Sequence, residues 1–164
     1  MSIAICPGSF DPITLGHLNI IRRTSYLFDE VIVCVMQNDA KSSGMFNLEE
    51  RCDMVRRSVM KYPNVRVESP GGLLAEYAKT QGNAVVVKGM RAASDFDYEF
   101  QMNLINKKIN PSMETLFLPA SEKYTFLSSS IVREMARYGA DLTGLVPEEI
   151  KADIEKKALL WRGK

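Results

Sequence analysis

The stretch IAICPGSFDPITLGH, residues 3–17, decides the fold class of this chain. It opens with a short, continuously apolar run, which is typical of a strand covered on both faces of a parallel sheet. A loop with two prolines and two glycines follows, and helical periodicity begins near Leu15. The stretch therefore predicts a strand over residues 3–6, a polar loop, and a helix over residues 15–28.

The same alternation continues along the chain. Short apolar runs predict four more strands, over residues 31–36, 65–68, 84–88 and 115–118. Helical periodicity predicts five more helices, over residues 48–62, 73–81, 94–109, 128–138 and 147–161. Strands that alternate with helices through short connections indicate an α/β fold with a doubly wound, five-stranded parallel sheet. We expect one domain over residues 1–164, with C-terminal helices from about residue 128 onward.

Local signals mark the second helix most clearly. Asn47 and Glu50 stand at the spacing of a capping box at its start. One face of this helix is predicted to be apolar and comprises Leu48, Cys52, Val55 and Val59.

Composition excludes several classes of protein. The chain has 164 residues, of which 46% are hydrophobic and 25% charged, and its formal net charge is +1. This balance disfavours broad binding to nucleic acid or to an anionic membrane, which needs a basic excess.

Cys6, Cys34 and Cys52 form neither a CxxC pair nor a cluster with histidine, so we expect buried thiols in a reducing compartment. With no signal peptide and no apolar run long enough to span a membrane, we expect a cytoplasmic protein.

The loop after the first strand is the first candidate site. Ligands of such sheets bind at the carboxyl ends of the strands, where this loop lies. It holds Ser9, Asp11, Thr14 and His17, the only histidine, and the amides of a helix start favour an anion. The alternative is that Asp11 or Thr14 caps the helix and His17 is incidental. Neither GxGxxG nor GxxxxGK[ST] occurs, which argues against the ordinary dinucleotide and P-loop sites.

Cations follow two other strands at the same edge. Lys41 follows the second strand and could hold a phosphate as a point charge, although a solvated loop lysine is the alternative. Lys88 and Arg91 flank Gly89 after the fourth strand, where they could bracket phosphates. Asp95 and Asp97 are interpreted as acidic residues of a first helical turn. The sequence thus predicts a locally positive site within a nearly neutral chain.

Three consecutive serines, Ser128, Ser129 and Ser130, open the fifth predicted helix. Their hydroxyls and the first helical amides could form a second anion cradle. A helix cap needs only one of them, and Arg133, one turn further on, could either reach back or form a surface salt bridge.

These motifs resemble those of nucleotidylyltransferases. GSFDP at residues 8–12, followed by Thr14, Gly16 and His17, resembles the TxGH form of the HxGH signature, and LSSSIVR at residues 127–133 resembles ISSTxxR. KGMRAASDFDYE, residues 88–99, is similar to a stretch of bacterial phosphopantetheine adenylyltransferases. The resemblance extends from residue 3 to about residue 149.

The resemblance implies a Rossmann-like nucleotidylyltransferase fold and a reaction. AMP would pass from ATP to 4′-phosphopantetheine, giving dephospho-CoA and pyrophosphate, by direct attack of the acceptor phosphate on the α-phosphate. Mg²⁺ would be the cofactor, held through ATP phosphates rather than by protein ligands. The family also implies a homohexamer and feedback inhibition by CoA.

The resemblance also implies roles for individual residues. It assigns catalysis to His17, Lys41 and Arg91, and acceptor binding to Ser9, Lys41, Leu74 and Lys88. It assigns ATP binding to Ser9, Phe10, His17, Gly89, Met90, Arg91, Glu99, Tyr124, Thr125, Phe126, Leu127, Ser128, Ser129 and Ser130. The chain departs from the family at Ser9, where threonine is common, and at Lys88, where arginine is common.

Two alternatives stay open. One is another small-molecule nucleotidylyltransferase, which would use a nicotinamide mononucleotide acceptor or a cytidylyl donor. The other is a non-catalytic, flavodoxin-like nucleotide-binding module, which would leave the coincidence of Ser9, His17 and the serines unexplained.

Overall fold

Five parallel strands form one sheet in the computed structural model, which describes residues 1–37, 44–82 and 84–161. The strands are β1 (Ile3–Gly8), β2 (Glu30–Val35), β3 (Val65–Glu68), β4 (Val85–Met90) and β5 (Glu114–Pro119). Their order across the sheet is β3-β2-β1-β4-β5. The predicted doubly wound α/β class and its five strands are confirmed.

Six helices cover the sheet: α1 (Leu15–Ser25), α2 (Leu48–Val59), α3 (Leu74–Thr80), α4 (Ala93–Ile109), α5 (Ser129–Arg137) and α6 (Glu148–Trp161). A 3₁₀ turn at Glu122–Tyr124, which the sequence analysis did not predict, precedes α5. The first helix ends three residues earlier than predicted. The side-chain amide of Asn64 accounts for this end, because it donates to the carbonyls of Ser25 and Phe28 at 2.8 and 3.0 Å.

The strands bury both of their faces, as their continuous apolar runs predict. On one face, Ala4, Cys6 and Val33 belong to a core closed by α1, α2, α5 and α6. On the other face, Ile5 and Cys34 belong to a smaller core with residues of α3. The prediction of three buried, unbridged cysteines is confirmed.

The predicted start and apolar face of α2 are confirmed. The Glu50 amide donates to Asn47 Oδ1 at 2.9 Å, and the Asn47 amide donates to Glu50 Oε2 at 2.8 Å. Cys52, Val55 and Val59 are buried, and Leu48 packs against the same core.

The fourth helix differs from the others because it buries none of its residues. Its exposed apolar side chains are Phe96, Tyr98, Phe100, Leu104, Ile105 and Ile109. Over residues 1–37, 44–82 and 84–161, we find no helix with the length and apolar character that crossing a bilayer requires.

A gap opens in the sheet between β1 and β4. These strands pair only at Ala4 with Val85 and Ile5 with Val86, whereas β1 pairs with β2 as far as Gly8. The strand order also reverses at this position, because β2 lies on one side of β1 and β4 on the other. A crevice at such a switch point is where α/β sheets bind ligands.

Candidate active site

A cavity of about 320 Å³ lies at the carboxyl ends of β1 and β4, directly above this gap. Many of the predicted site residues line it together: Ser9, Phe10, His17, Lys88, Gly89, Arg91, Glu99, Tyr124, Leu127, Ser128 and Ser129. They come from three separate parts of the chain, as the three motifs require.

The start of α1 is built by Thr14 and His17. The Thr14 hydroxyl accepts from the His17 amide at 3.3 Å, and His17 Nδ1 accepts from the Thr14 amide at 3.0 Å. This reciprocal pair is a capping box in which histidine takes the place usually filled by glutamate or glutamine. Of the two candidate caps, Asp11 and Thr14, the cap of α1 is therefore Thr14. The Asp11 carboxylate instead accepts from the amides of Met45 and Phe46.

The capping box fixes the protonation of His17. A backbone amide can only donate, so Nδ1 must be unprotonated, and the proton of the neutral ring resides on Nε2. Burial, and to a smaller extent the positive charge of Arg91, together lower the pKa of His17 to about 4. His17 therefore offers the cavity a neutral N–H donor near pH 7.

Phe10 supports the imidazole from the side. The two ring centroids lie 5.1 Å apart, and the ring planes meet at 71°, in an edge-to-face contact. Phe10 is buried, and it is the only non-glycine residue with a positive φ, 47°, in the described ranges 1–37, 44–82 and 84–161.

Arg91 is held in place by other groups of the protein. Its Nε and Nη2 lie 3.1 and 3.2 Å from the two carboxylate oxygens of Asp95, and its Nη1 donates to the Leu127 carbonyl at 3.2 Å. Burial raises the pKa of Asp95, but the hydrogen bonds and charge of Arg91 outweigh that effect and hold it below its usual value. Arg91 thus joins the end of β4 to the segment before α5.

Lys88 is paired as well, because its Nζ lies 2.8 Å from Glu99 Oε2 on α4. Lys88 and Arg91 are thus neutralised by Glu99 and Asp95 in the same cavity. The sequence predicts a locally positive site. The charges that these four residues bring to the cavity instead sum to zero, because α4 supplies a carboxylate for each cation.

The three serines have different positions. The Ser128 hydroxyl caps α5 by accepting from the Ile131 amide at 3.2 Å, and Ser129 donates to the Pro12 carbonyl at 2.8 Å. Ser130 is exposed and accepts from Arg133 at 3.2 Å. Ser128 and Ser129 line the cavity with His17, so α5 begins at the same site as α1.

Gly89 is required by packing. A Cβ at this position would lie 2.8 Å from Cγ1 of Ile20 on α1. The glycine therefore allows α1 and β4 to approach each other beneath the cavity.

Some predicted residues are not brought into this cavity. Met90, Thr125, Phe126 and Ser130 do not line it, and Leu74 packs against the smaller core. Lys41 lies outside the described residues. The roles assigned to all these residues stay predictions.

Among the charged residues that line the cavity, Asp95 is the one absent from the predicted site, because the sequence indicates only an acidic helical turn at its position. Its place at the start of the predicted helix, four residues after the cation Arg91, was the available signal. Arg133, in turn, lines a neighbouring cavity and not this one.

Comparisons with known proteins agree on a nucleotidyltransferase. The family model for cytidylyltransferase-like proteins matches residues 5–135. A phosphopantetheine adenylyltransferase of Clostridium tetani is 51% identical over 158 residues, which cover 96% of this chain and 98% of that protein. A phosphopantetheine adenylyltransferase of Clostridium kluyveri is 54% identical over 157 residues, or 96% of this chain and 95% of that protein.

The chain belongs to the phosphopantetheine adenylyltransferase family. Membership confirms the resemblance that the three motifs indicate.

The fold is found more widely than the phosphopantetheine adenylyltransferase family. The crystal structure of a candidate nicotinate-nucleotide adenylyltransferase from Vibrio parahaemolyticus superposes with a TM-score of 0.71 at 21% identity. The match covers 99% of this chain and 96% of that one. At this identity the likeness shows the shared fold alone.

Proposed function

We propose that this protein transfers AMP from ATP to the phosphate of 4′-phosphopantetheine, forming dephospho-CoA and pyrophosphate. The observation that carries the proposal is the fixed Nε2–H tautomer of His17 at the switch point of the sheet. The membership of this chain in the phosphopantetheine adenylyltransferase family supports the choice of 4′-phosphopantetheine as the acceptor.

The reaction needs no base from the protein. An anionic oxygen of the acceptor phosphate attacks the α-phosphorus of ATP, and the bond from that phosphorus to the bridging oxygen breaks. The electron pair leaves with pyrophosphate. Both reactants are anions, so alignment and charge stabilisation provide most of the acceleration.

His17 is assigned the central donor role. Its Nε2–H donates to the α-phosphate as negative charge develops there, and the Thr14 amide holds the ring in the required tautomer. Because His17 stays neutral, it is a hydrogen-bond donor and not a proton source for the leaving group.

The roles of the cations and hydroxyls follow the family resemblance, and their shared cavity supports these roles. Arg91, held by Asp95, faces the nucleotide phosphates, and the Ser9 hydroxyl and Lys88 orient the acceptor phosphate. Glu99 must release Lys88 or share it when that phosphate binds. Lys41 is proposed to hold the acceptor phosphate as a point charge.

Mg²⁺ is proposed to enter with the nucleotide. In the described parts of the chain, no three His, Cys, Asp or Glu side chains cluster as metal ligands, and both carboxylates of the cavity are already paired with cations. This donor set fits an ion held by the oxygens of ATP, where it would neutralise triphosphate charge.

We also propose a homohexamer with feedback inhibition by CoA, located in the cytoplasm. The exposed apolar side chains of α4 support self-association, because isolated chains rarely leave such a patch uncovered. The number six and the inhibitor follow from the family resemblance. Native mass spectrometry tests the number of subunits, and an assay of pyrophosphate release with added CoA tests the inhibition.

The deciding experiment measures pyrophosphate release from ATP and Mg²⁺ with and without 4′-phosphopantetheine. We expect release that depends on this acceptor. Release with nicotinamide mononucleotide instead, or with CTP as the donor, would assign the protein to another nucleotidylyltransferase reaction. No release with any acceptor would support the non-catalytic binding module.

A further inference from the structure

Arg51, on α2, is a buried cation that donates to two backbone carbonyls. It is 8% exposed. Its Nη1 donates to the Ser9 carbonyl at 2.5 Å and to the Met36 carbonyl at 3.0 Å. One guanidinium thereby ties the loop after β1 to the end of β2.

Asp11 makes a matching set of contacts two residues further along the same loop. Its carboxylate accepts from the amides of Met45 and Phe46 at 3.0 and 2.9 Å. Its carbonyl accepts from Arg133 Nη1 at 2.6 Å. The loop after β1 is therefore held at Ser9 by α2 and at Asp11 by both α5 and the segment before α2.

Phe10 lies between these two anchors in an unfavourable backbone conformation. Its φ of 47° is in the left-handed region, which bulky side chains rarely adopt. Such a conformation persists only where the surroundings hold it on both sides. Its result is the edge-to-face contact that places the Phe10 ring 5.1 Å from the imidazole of His17.

We infer that Arg51 and Asp11 are positioning residues, which hold Phe10 in its left-handed conformation and thereby fix the imidazole of His17 in the cavity. Neither residue needs to touch a substrate for this role. The inference rests on the proposed function only for its catalytic consequence, since the contacts themselves lie within the protein.

The chain offers a clean probe and a matched control. His17 is the only histidine, so its ring gives one set of imidazole signals in an NMR spectrum. Arg57 lies on the same helix and also ties it to a neighbour, by donating to the Glu149 carbonyl at 2.8 Å and pairing with Asp53 and Asp153. Arg51→Met and Arg57→Met therefore each remove an arginine that joins α2 to a neighbour, and of the two only Arg51 touches the loop of Phe10.

The experiment follows the His17 ring by NMR in the ligand-free protein, from pH 5 to pH 8. In the wild type we expect the Nε2–H tautomer and no titration midpoint in this range. In Arg51→Met we expect loss of the single tautomer and a midpoint at least ~1 pH unit higher, because the ring gains water. Arg57→Met should match the wild type. The charged groups around the ring, Lys88, Arg91, Asp95 and Glu99, are the same in all three proteins.

Two further variants keep the inference falsifiable if Arg51→Met folds poorly. Arg51→Lys retains the charge but can reach fewer carbonyls, so its His17 titration should lie between wild type and Arg51→Met. Phe10→Ala should raise the midpoint by itself, and adding Arg51→Lys to it should then have no further effect. Additive changes in the double variant would overturn the inference, because they would show that Arg51 does not act through Phe10.

Kinetics separate this inference from the proposed function. We expect kcat of Arg51→Lys to fall about tenfold with the KM for ATP within about twofold, as for loss of alignment in the transition state. A wild-type protein without adenylyl transfer would refute the proposed function and leave the NMR result to decide the positioning. A wild-type His17 titration in both Arg51 variants would refute the positioning and leave the proposed function standing.

Discussion

Lys88 Nζ lies 2.8 Å from Glu99 Oε2, so the ammonium predicted to bind the acceptor phosphate already has an anionic partner. Both side chains are largely buried, with 25% and 22% exposure. The pair connects β4 to α4 across the cavity. An incoming phosphate competes with Glu99 for the cation at position 88. How well the phosphate competes depends on whether that cation is an ammonium or a planar guanidinium.

Lys88→Arg should lower the KM for 4′-phosphopantetheine about fivefold and leave kcat within about threefold. A guanidinium can bind phosphate through two parallel hydrogen bonds, whereas an ammonium acts as a point charge. Steady-state kinetics at saturating ATP measure the effect. Lys107→Arg is the control, because Lys107 makes a similar ion pair with Glu114 at 2.6 Å outside the cavity. An unchanged acceptor KM in Lys88→Arg would contradict the assignment of this lysine.

Asp95→Asn should lower kcat/KM for ATP about tenfold. The amide group would face the Arg91 guanidinium with its own donors, and the arginine would lose its charged anchor. Asp97→Asn removes one negative charge from an exposed position of the same helix, and this variant should behave as wild type. Equal effects of the two substitutions would show that the net charge of α4, not the orientation of Arg91, matters.

His17→Ala should lower kcat by about 10²-fold or more, the scale of losing one donor to a transition state. Alanine also breaks the capping box with Thr14, so it should destabilise the protein by about 1 kcal/mol. His17→Gln separates the two effects, because its side-chain oxygen can accept from the Thr14 amide. Near-normal turnover of His17→Ala at saturating substrates would remove His17 from the mechanism.

The pH dependence of stability should show the buried state of His17. Its pKa is about 4 in the folded protein and near 6.5 when unfolded, so the unfolded chain binds more protons between these values. This contribution to stability is complete above pH 6.5 and is lost as the pH falls towards 4, by up to about 3 kcal/mol. Urea unfolding from pH 4.5 to 7.5 measures it. His17→Gln should lack this component, and an identical pH profile in both proteins would contradict the pKa.

Gly89→Ala should destabilise the fold by about 1–3 kcal/mol, because the new Cβ would lie 2.8 Å from Ile20 Cγ1. Denaturant unfolding gives the value. Ile20→Ala in the same chain makes room for the methyl group, so the double variant should lose less stability than the two single changes together. Simple additivity would show that the two residues are not in tight contact.

The sequence predicts the fold better than it predicts the connections within the site. Strand β2 and helix α2 carry strong local signals, in the first case a β-branched run and in the second a capping box with an apolar face. Their existence and type therefore follow from local chemistry. The end of α1 does not, since Asn64, thirty-nine residues after Ser25, supplies its hydrogen bonds.

The same distinction holds for the cavity. His17 could be recognised because a helix start after a strand is a predictable anion site. The pairing of Lys88 with Glu99 could not, because it depends on how α4 lies against β4. The contacts of Arg51 with Ser9 and of Asp11 with Met45 join positions 42 and 34 residues apart, which no local pattern encodes.

The early end of the ladder between β1 and β4, after Ile5 and Val86, has an evolutionary consequence. The opening is formed by the short backbone pairing of β1 with β4. Replacing side chains at its rim therefore neither closes nor creates it. A change of acceptor therefore requires substitutions at the rim and no change in the pairing of β1 with β4. A scaffold with this property is open to repeated recruitment, and selection for a new substrate need not begin by rebuilding the sheet.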